Sequence, residues 1–171
     1  MPHANALLLD AFGRVKEAVH GVVEGLSREQ LVHRVDPEAN TIAWLVWHLT
    51  RIQDDHVAAL AGMGQVWHRD GWLDRMGLPF GPDEHGYGHG PEQVAAVDVP
   101  AELLLGYHDA VHEQTVAYVE GLDDASYDDV VDRSWDPPVT RAVRLVSVVE
   151  DDMQHVGQAA FVRGVVQRLG V

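Results

Sequence analysis

Two stretches decide how this chain folds: Thr41-Ile-Ala-Trp-Leu-Val-Trp-His48 and Asp151-Asp-Met-Gln-His155-Val-Gly-Gln158. Both lie in helical periodicity, and both set coordinating side chains among apolar neighbours, where a polar group is costly without a partner. Asp151 and His155 share one face of a helix, a turn apart. One helix can thereby offer two ligands to one ion. His48, from a distant helix, completes a set of two histidines and one carboxylate with coordination positions left open.

Outward from these stretches, four long helices are predicted. The first covers residues 4 to 25, with Leu7, Leu8, Ala11, Val15, Ala18, Val19, Val22 and Val23 at helical spacing. Ser27-Arg-Glu-Gln30 matches a capping box and predicts a short helical turn. The second runs from Thr41, a suitable N-cap, to Gly62. The third follows Pro100 and ends at Gly121, and the fourth runs from Val139-Thr140 almost to Gly170. Between the second and third, residues 62 to 99 are glycine-rich and read as a long irregular connection with one short helix at Trp72 to Met76. Long ordered loops of this kind are often functional. No strand alternation, repeat or low-complexity tract is visible. The fold class is therefore all-α: a four-helix bundle with a long crossover loop between helices two and three, whose core can hold a site.

The length of 171 residues suits a single domain over residues 1 to 171. A formal charge of −15 excludes nucleic acid and anionic membrane surfaces as expected partners, because phosphate binding needs clustered Lys and Arg. With no cysteine there is no disulfide and no protein thiolate, so any metal is held by His, Asp, Glu or backbone oxygen. The N-terminal Met-Pro-His-Ala-Asn-Ala lacks the basic and apolar stretches of a secretion signal, and no run is long enough to span a membrane. A cytoplasmic protein is the expectation. Eleven arginines accompany the single Lys16, a bias common in GC-rich genomes.

With His48 at zero degrees on its helix, Trp44, Leu45, Ile52 and Ala59 fall within about 60° of it, which predicts that His48 faces the bundle interior. Asp55 points the same way two turns on, better placed to face substrate than to join the same ion. The bland alternative makes His48 and His155 ordinary buried histidines and pairs Asp151 with Arg144. A rival pair, His108 and His112, sits at ligand spacing on the third helix. His85 and His89 fall in a Gly-rich loop and read as a mobile lid at best, while Trp44, Trp47, Trp67, Trp72 and Trp135 read as core or pocket walls.

At Asn40 to Leu49, Arg133-Ser-Trp-Asp-Pro-Pro-Val-Thr140 and Asp151-x-x-x-His155-x-x-Gln158 the chain resembles the DinB superfamily of four-helix metalloproteins. It most resembles the actinobacterial mycothiol-dependent branch of maleylpyruvate isomerase-like proteins and thiol S-transferases. That resemblance implies a divalent metal on His48, Asp151 and His155, with Asp151 standing where histidine is common. Zinc or nickel leads, and iron or manganese also suits this ligand set. It implies mycothiol as cosubstrate, small electrophiles as substrates for S-transfer or isomerisation, and a homodimer. Gln158 and Asp152 are then candidates to orient ligands or substrate, and Arg144 to meet an anionic group. The alternatives are a non-catalytic metal- or ligand-binding stress-associated bundle and a metal-dependent hydrolase on the same ligands.

Overall fold

The computed structural model describes residues 3–170. Residues 1, 2 and 171, the ends of the expected domain and part of the stretch read for a secretion signal, lie outside them. Four long helices form the bundle: α1 (His3–Val23), α3 (Ile42–Ala61), α7 (Ala101–Glu120) and α8 (Arg141–Leu169). Each of α1 and α3 packs between α7 and α8, so the helices stand in the order α1, α7, α3, α8 around the core. The short α2 (Arg28–Leu31) carries the expected capping box, with Ser27 and Gln30 exchanging side-chain and backbone bonds.

Sequence signals set the helix ends. The Thr41 hydroxyl accepts from Trp44 N–H at 3.0 Å and starts α3. Gly62 ends it at φ 64°, the left-handed conformation that a Cβ disfavours. Thr140 starts α8, and Pro100 precedes α7.

The crossover holds more structure than predicted. Besides α5 (Trp72–Met76) it contains α4 (Val66–Arg69) and α6 (Pro91–Ala96). Ahead of α8, a short antiparallel pair, β1 (Val130–Asp132) and β2 (Val139–Thr140), corrects the expectation of no strands. Trp135, in the turn between those strands, is 66% exposed and forms no part of the core, unlike the other four tryptophans.

Buried polar groups on α3 pin the crossover. Arg51 and Asp54 lie three residues apart with their charged ends 3.8 Å from each other and no solvent exposure. The Asp54 carboxylate accepts Val66 N–H and Trp67 N–H, each at 2.8 Å, and the Tyr107 hydroxyl at 2.8 Å. Arg51 donates to Gln65 at 2.8 Å and to the Glu84 carbonyl at 3.2 Å, with its guanidinium 4.9 Å from the Trp67 ring centre. Burial pushes the Asp54 carboxyl up, and its donors oppose that.

The rival histidines also have a place. The Thr50 hydroxyl donates to the Val46 carbonyl and so accepts from His108 Nδ1 at 3.2 Å, which leaves His108 Nε2 as a bare lone pair. Burial holds the His108 pKa down at about 3.

Two outcomes follow. Replacing Asp54 with Ala strands the buried Arg51 charge and frees the start of α4; denaturant titration should show a loss of about 3–5 kcal/mol. His108 refuses a proton in the native state that the unfolded chain accepts below its ordinary pKa of 6.5, so it lowers stability as pH falls from there toward 3. At about 1.4 kcal/mol per pH unit, wild type should lose about 2 kcal/mol more than His108→Gln between pH 6.5 and pH 5.

Candidate metal centre

α3 and α8 run antiparallel, and midway along their shared seam His48 meets Asp151 and His155. One nitrogen or oxygen from each of the three lies within 4.8 Å of the others; no other such group of three appears among the described residues. The His48 and His155 rings stand 4.8 Å apart at 75°. His48 is 6% exposed, and the side chains of His155 and Asp151 are 19% and 32% exposed. The centre is thus shielded on the α3 side and open on the α8 side.

The His48 side of the seam departs from expectation. Ile52 is only partly buried and Ala59 is exposed, although both lie on the His48 stripe. The fully buried positions further along α3 are Gln53, Asp54, Val57 and Ala58, a face turned by about 100°. That face is covered by α7 and the crossover, whereas beyond His48 the stripe forms one wall of a cleft.

The crossover reaches the site and orients His48. His48 Nδ1 bonds to the backbone carbonyl of His85. A carbonyl only accepts, so Nδ1 carries the hydrogen and Nε2 presents its lone pair to the other side. Metal-bound histidines commonly have this arrangement. Burial lowers the His48 pKa and favours the neutral, ligating form. Gly86 makes the contact possible: a Cβ there would sit 2.7 Å from His48 Nδ1 and 3.1 Å from the Trp47 ring. His89 anchors the segment, stacked on Trp47 at 5.8 Å, accepting Trp44 Nε1–H at 3.2 Å and bonded to Glu84 at 3.0 Å. Residues 84 to 89 therefore form a strap laid on α3 through the His85 carbonyl, Gly86 and the shielded His89 ring, with Tyr87 left exposed. The sequence signal for it was the pair of histidines around Gly86 and Gly88.

Trp44 closes the other side, stacked on His48 at 4.7 Å and edge-on to His155 at 6.3 Å. Asp151 Oδ1 lies 3.6 Å from His155 Nε2, and this hydrogen-bonding neighbour raises the His155 pKa. Asp151 Oδ2 and His155 Nδ1 are buried with no hydrogen-bond partner. Polar atoms so placed fit a divalent ion as their missing partner.

The remaining candidates are placed as follows. Gln158 is exposed one turn beyond His155. Asp152 lies in the core stripe of α8 at 0% exposure, both oxygens unpartnered, and burial pushes its carboxyl well above the carboxylate range. Its neighbour Asp151 turns away from it toward the seam. Arg144 pairs with Asp132 of β1 at 2.9 Å rather than with Asp151. Asp55 accepts Gln65 Nε2–H at 2.7 Å and lines the cleft beside Asp151. His108 and His112 find no third ligand among the described residues.

Residues 7–167 match the sequence profile of the mycothiol S-transferases. The chain belongs to the mycothiol S-transferase family. Its fold is the DinB-like bundle, and it is similar to a conserved protein from Enterococcus faecalis of known crystal structure. The two superpose with a TM-score of 0.89 at 29% identity, over 95% of this chain and 96% of that one. No curated protein matches the chain. No helix among the described residues is long and apolar enough to cross a membrane.

The strap makes a separable expectation. Gly86→Ala should weaken divalent-metal affinity by about 10–100-fold, since the added carbon displaces His48 or the carbonyl that orients it. His85→Ala keeps the backbone carbonyl and should keep the affinity. Metal titration of both variants reads this directly, and equal losses would mean that the His85 ring matters instead.

Proposed function

We propose that this protein is a divalent-metal-dependent transferase that joins the sulfur of mycothiol to small electrophiles. The observation that carries the reading is the convergence of His48, Asp151 and His155 in a chain of the mycothiol S-transferase family. These three residues would hold the ion, and two neutral imidazoles with one carboxylate leave it a net positive charge. A divalent ion bound there supplies an electrophilic centre that lowers a thiol's pKa and favours thiolate at neutral pH. Zinc or nickel is the leading choice, and iron or manganese suits the same donors.

The chain's own residues do the rest. The His85 carbonyl keeps a proton on His48 Nδ1, so that Nε2 stays a lone-pair donor. Trp44 and Trp47 wall the α3 side and exclude water from it, while the α8 side admits substrate. Beside Asp151 the cleft is lined by Asp55, His56, Ser147 and Glu150, groups able to hydrogen-bond a hydroxyl-rich thiol. Burial lowers the His56 pKa and keeps that imidazole neutral, so it can accept a hydrogen from a thiol or hydroxyl in the cleft.

Asp151→Asn tests the reading. A neutral amide oxygen holds divalent cations more weakly than a carboxylate, so the variant should retain less metal through purification. Its thiol consumption with an electrophile panel should fall and recover in part on adding metal. His155→Ala should abolish metal binding, and His108→Ala should leave it intact. Undiminished thiol consumption after exhaustive chelation would sink the metal-dependent reading.

A further inference from the structure

The seam between α3 and α8 continues in both directions from the three ligands, and its two halves differ in chemistry. On one side, residues 52 to 56 of α3 face residues 147 to 151 of α8 across a cleft of about 400 Å³. It carries the carboxylates of Asp55, Glu150 and Asp151. On the other side, residues 39 to 45 face residues 157 to 162 across a groove of about 410 Å³. That groove has no charged group: its walls are Leu45, Phe161 and Val162, with the Asn40 and Gln158 amides at its edge.

The charged half includes one of the ligands, and the apolar half begins about one helical turn from another. Asp151 itself lines the charged cleft. Leu45 follows Trp44, whose indole lies on the His48 ring, and Gln158 sits three residues, about 4.5 Å along the helix axis, from His155. The apolar half is also unfilled. Phe161 is 65% exposed, and a Cβ built on Gly157 would have no atom within 4 Å. A bare backbone floor beside an exposed aromatic wall takes a flat apolar group well.

We propose that the ligand cluster separates two substrate subsites. The hydroxylated thiol takes the charged cleft, and the electrophile takes the apolar groove through an aryl or alkyl group packed on Leu45, Gly157 and Phe161. This rests on the transferase reading above. The assignment follows from solvation: an apolar group in the charged cleft would strip water from carboxylates, whereas a sugar-like group in the apolar groove would lose its own hydrogen bonds. In the step so arranged, the thiol sulfur forms a bond to the electrophilic carbon. The bond to the leaving group breaks with its electron pair, and the thiol proton passes to solvent. Nothing is oxidised or reduced.

The test uses the metal-loaded full chain with mycothiol and two electrophiles, p-nitrobenzyl chloride and iodoacetamide. Gly157→Leu fills the groove on an exposed helical position with a better helix former. It should raise KM for the aryl electrophile relative to that for iodoacetamide by roughly tenfold or more. Phe161→Ser should do the same. Calorimetry with the S-(p-nitrobenzyl) conjugate of N-acetylcysteine reads the groove without turnover, and both variants should weaken its binding. Elemental analysis should show wild-type metal content in each.

An unchanged KM ratio with unchanged conjugate binding would overturn the proposal while leaving the transferase reading intact. Absence of turnover in metal-loaded wild type would overturn the transferase reading, and calorimetry would still report on the groove. Should light scattering show that Phe161→Ser splits a dimer while the KM ratio stays put, a second copy covers this face and the subsite is wrong.

Discussion

Arg51 and Asp54 carry full charges to a place with no solvent, and the crossover is built around keeping them there. A buried ion pair at 3.8 Å does not stabilise a fold by itself, because desolvation takes back most of the Coulomb attraction. What makes the pair tolerable is the set of partners supplied by residues 62 to 99. Two backbone N–H groups of that segment, joined by the Tyr107 hydroxyl of α7, satisfy Asp54, while Gln65 and the Glu84 carbonyl take the Arg51 Nη1 and Nε donors and leave Nη2 without a partner. The crossover must therefore lie on α3 in one place, or leave charges unpaired in the core.

That constraint reaches the candidate metal centre through very few residues. Arg51 holds the carbonyl of Glu84, and the next carbonyl, that of His85, accepts from His48. Glu84 also bonds His89, which stacks on Trp47 and accepts from Trp44. A polar network whose energetic role is to neutralise a buried pair thus sets the tautomer of His48 one turn away on the same helix. The same loop thus serves both the buried pair and the cluster, and a loop sequence that reads as flexible is seated on α3 at the His85 carbonyl, Gly86 and His89.

The asymmetry of the seam has a similarly local origin. On α8 the residues buried in the core are Leu145, Val148, Asp152, Val156, Ala159, Val162 and Val166, while Asp151 and His155 lie at the margin of that stripe. Being at the margin gives them partial exposure, which a site that exchanges substrate needs. His48 is the buried member, and burial keeps its imidazole neutral. The contrast between a shielded His48 on α3 and an accessible Asp151 and His155 on α8 follows from how each helix is covered.

By itself, the sequence determined the bundle. Periodicity, Thr41 and Thr140 as N-caps, and Gly62 and Gly170 as terminators act within a few residues of chain, so the ends of α3 and α8 were legible. The grouping of His48, Asp151 and His155 was legible too, because an i, i+4 pair shares a helix face in any fold and the third ligand sat in the most apolar helix. Only the tertiary structure decided what surrounds them. Partial exposure of Ile52 and Ala59, the engagement of Arg144 by Asp132 and the full burial of Asp152 depend on which neighbour covers each face. The strap was hidden for the same reason. Its key group is a backbone carbonyl, which has no letter in the sequence, and its position is set by charges on another helix.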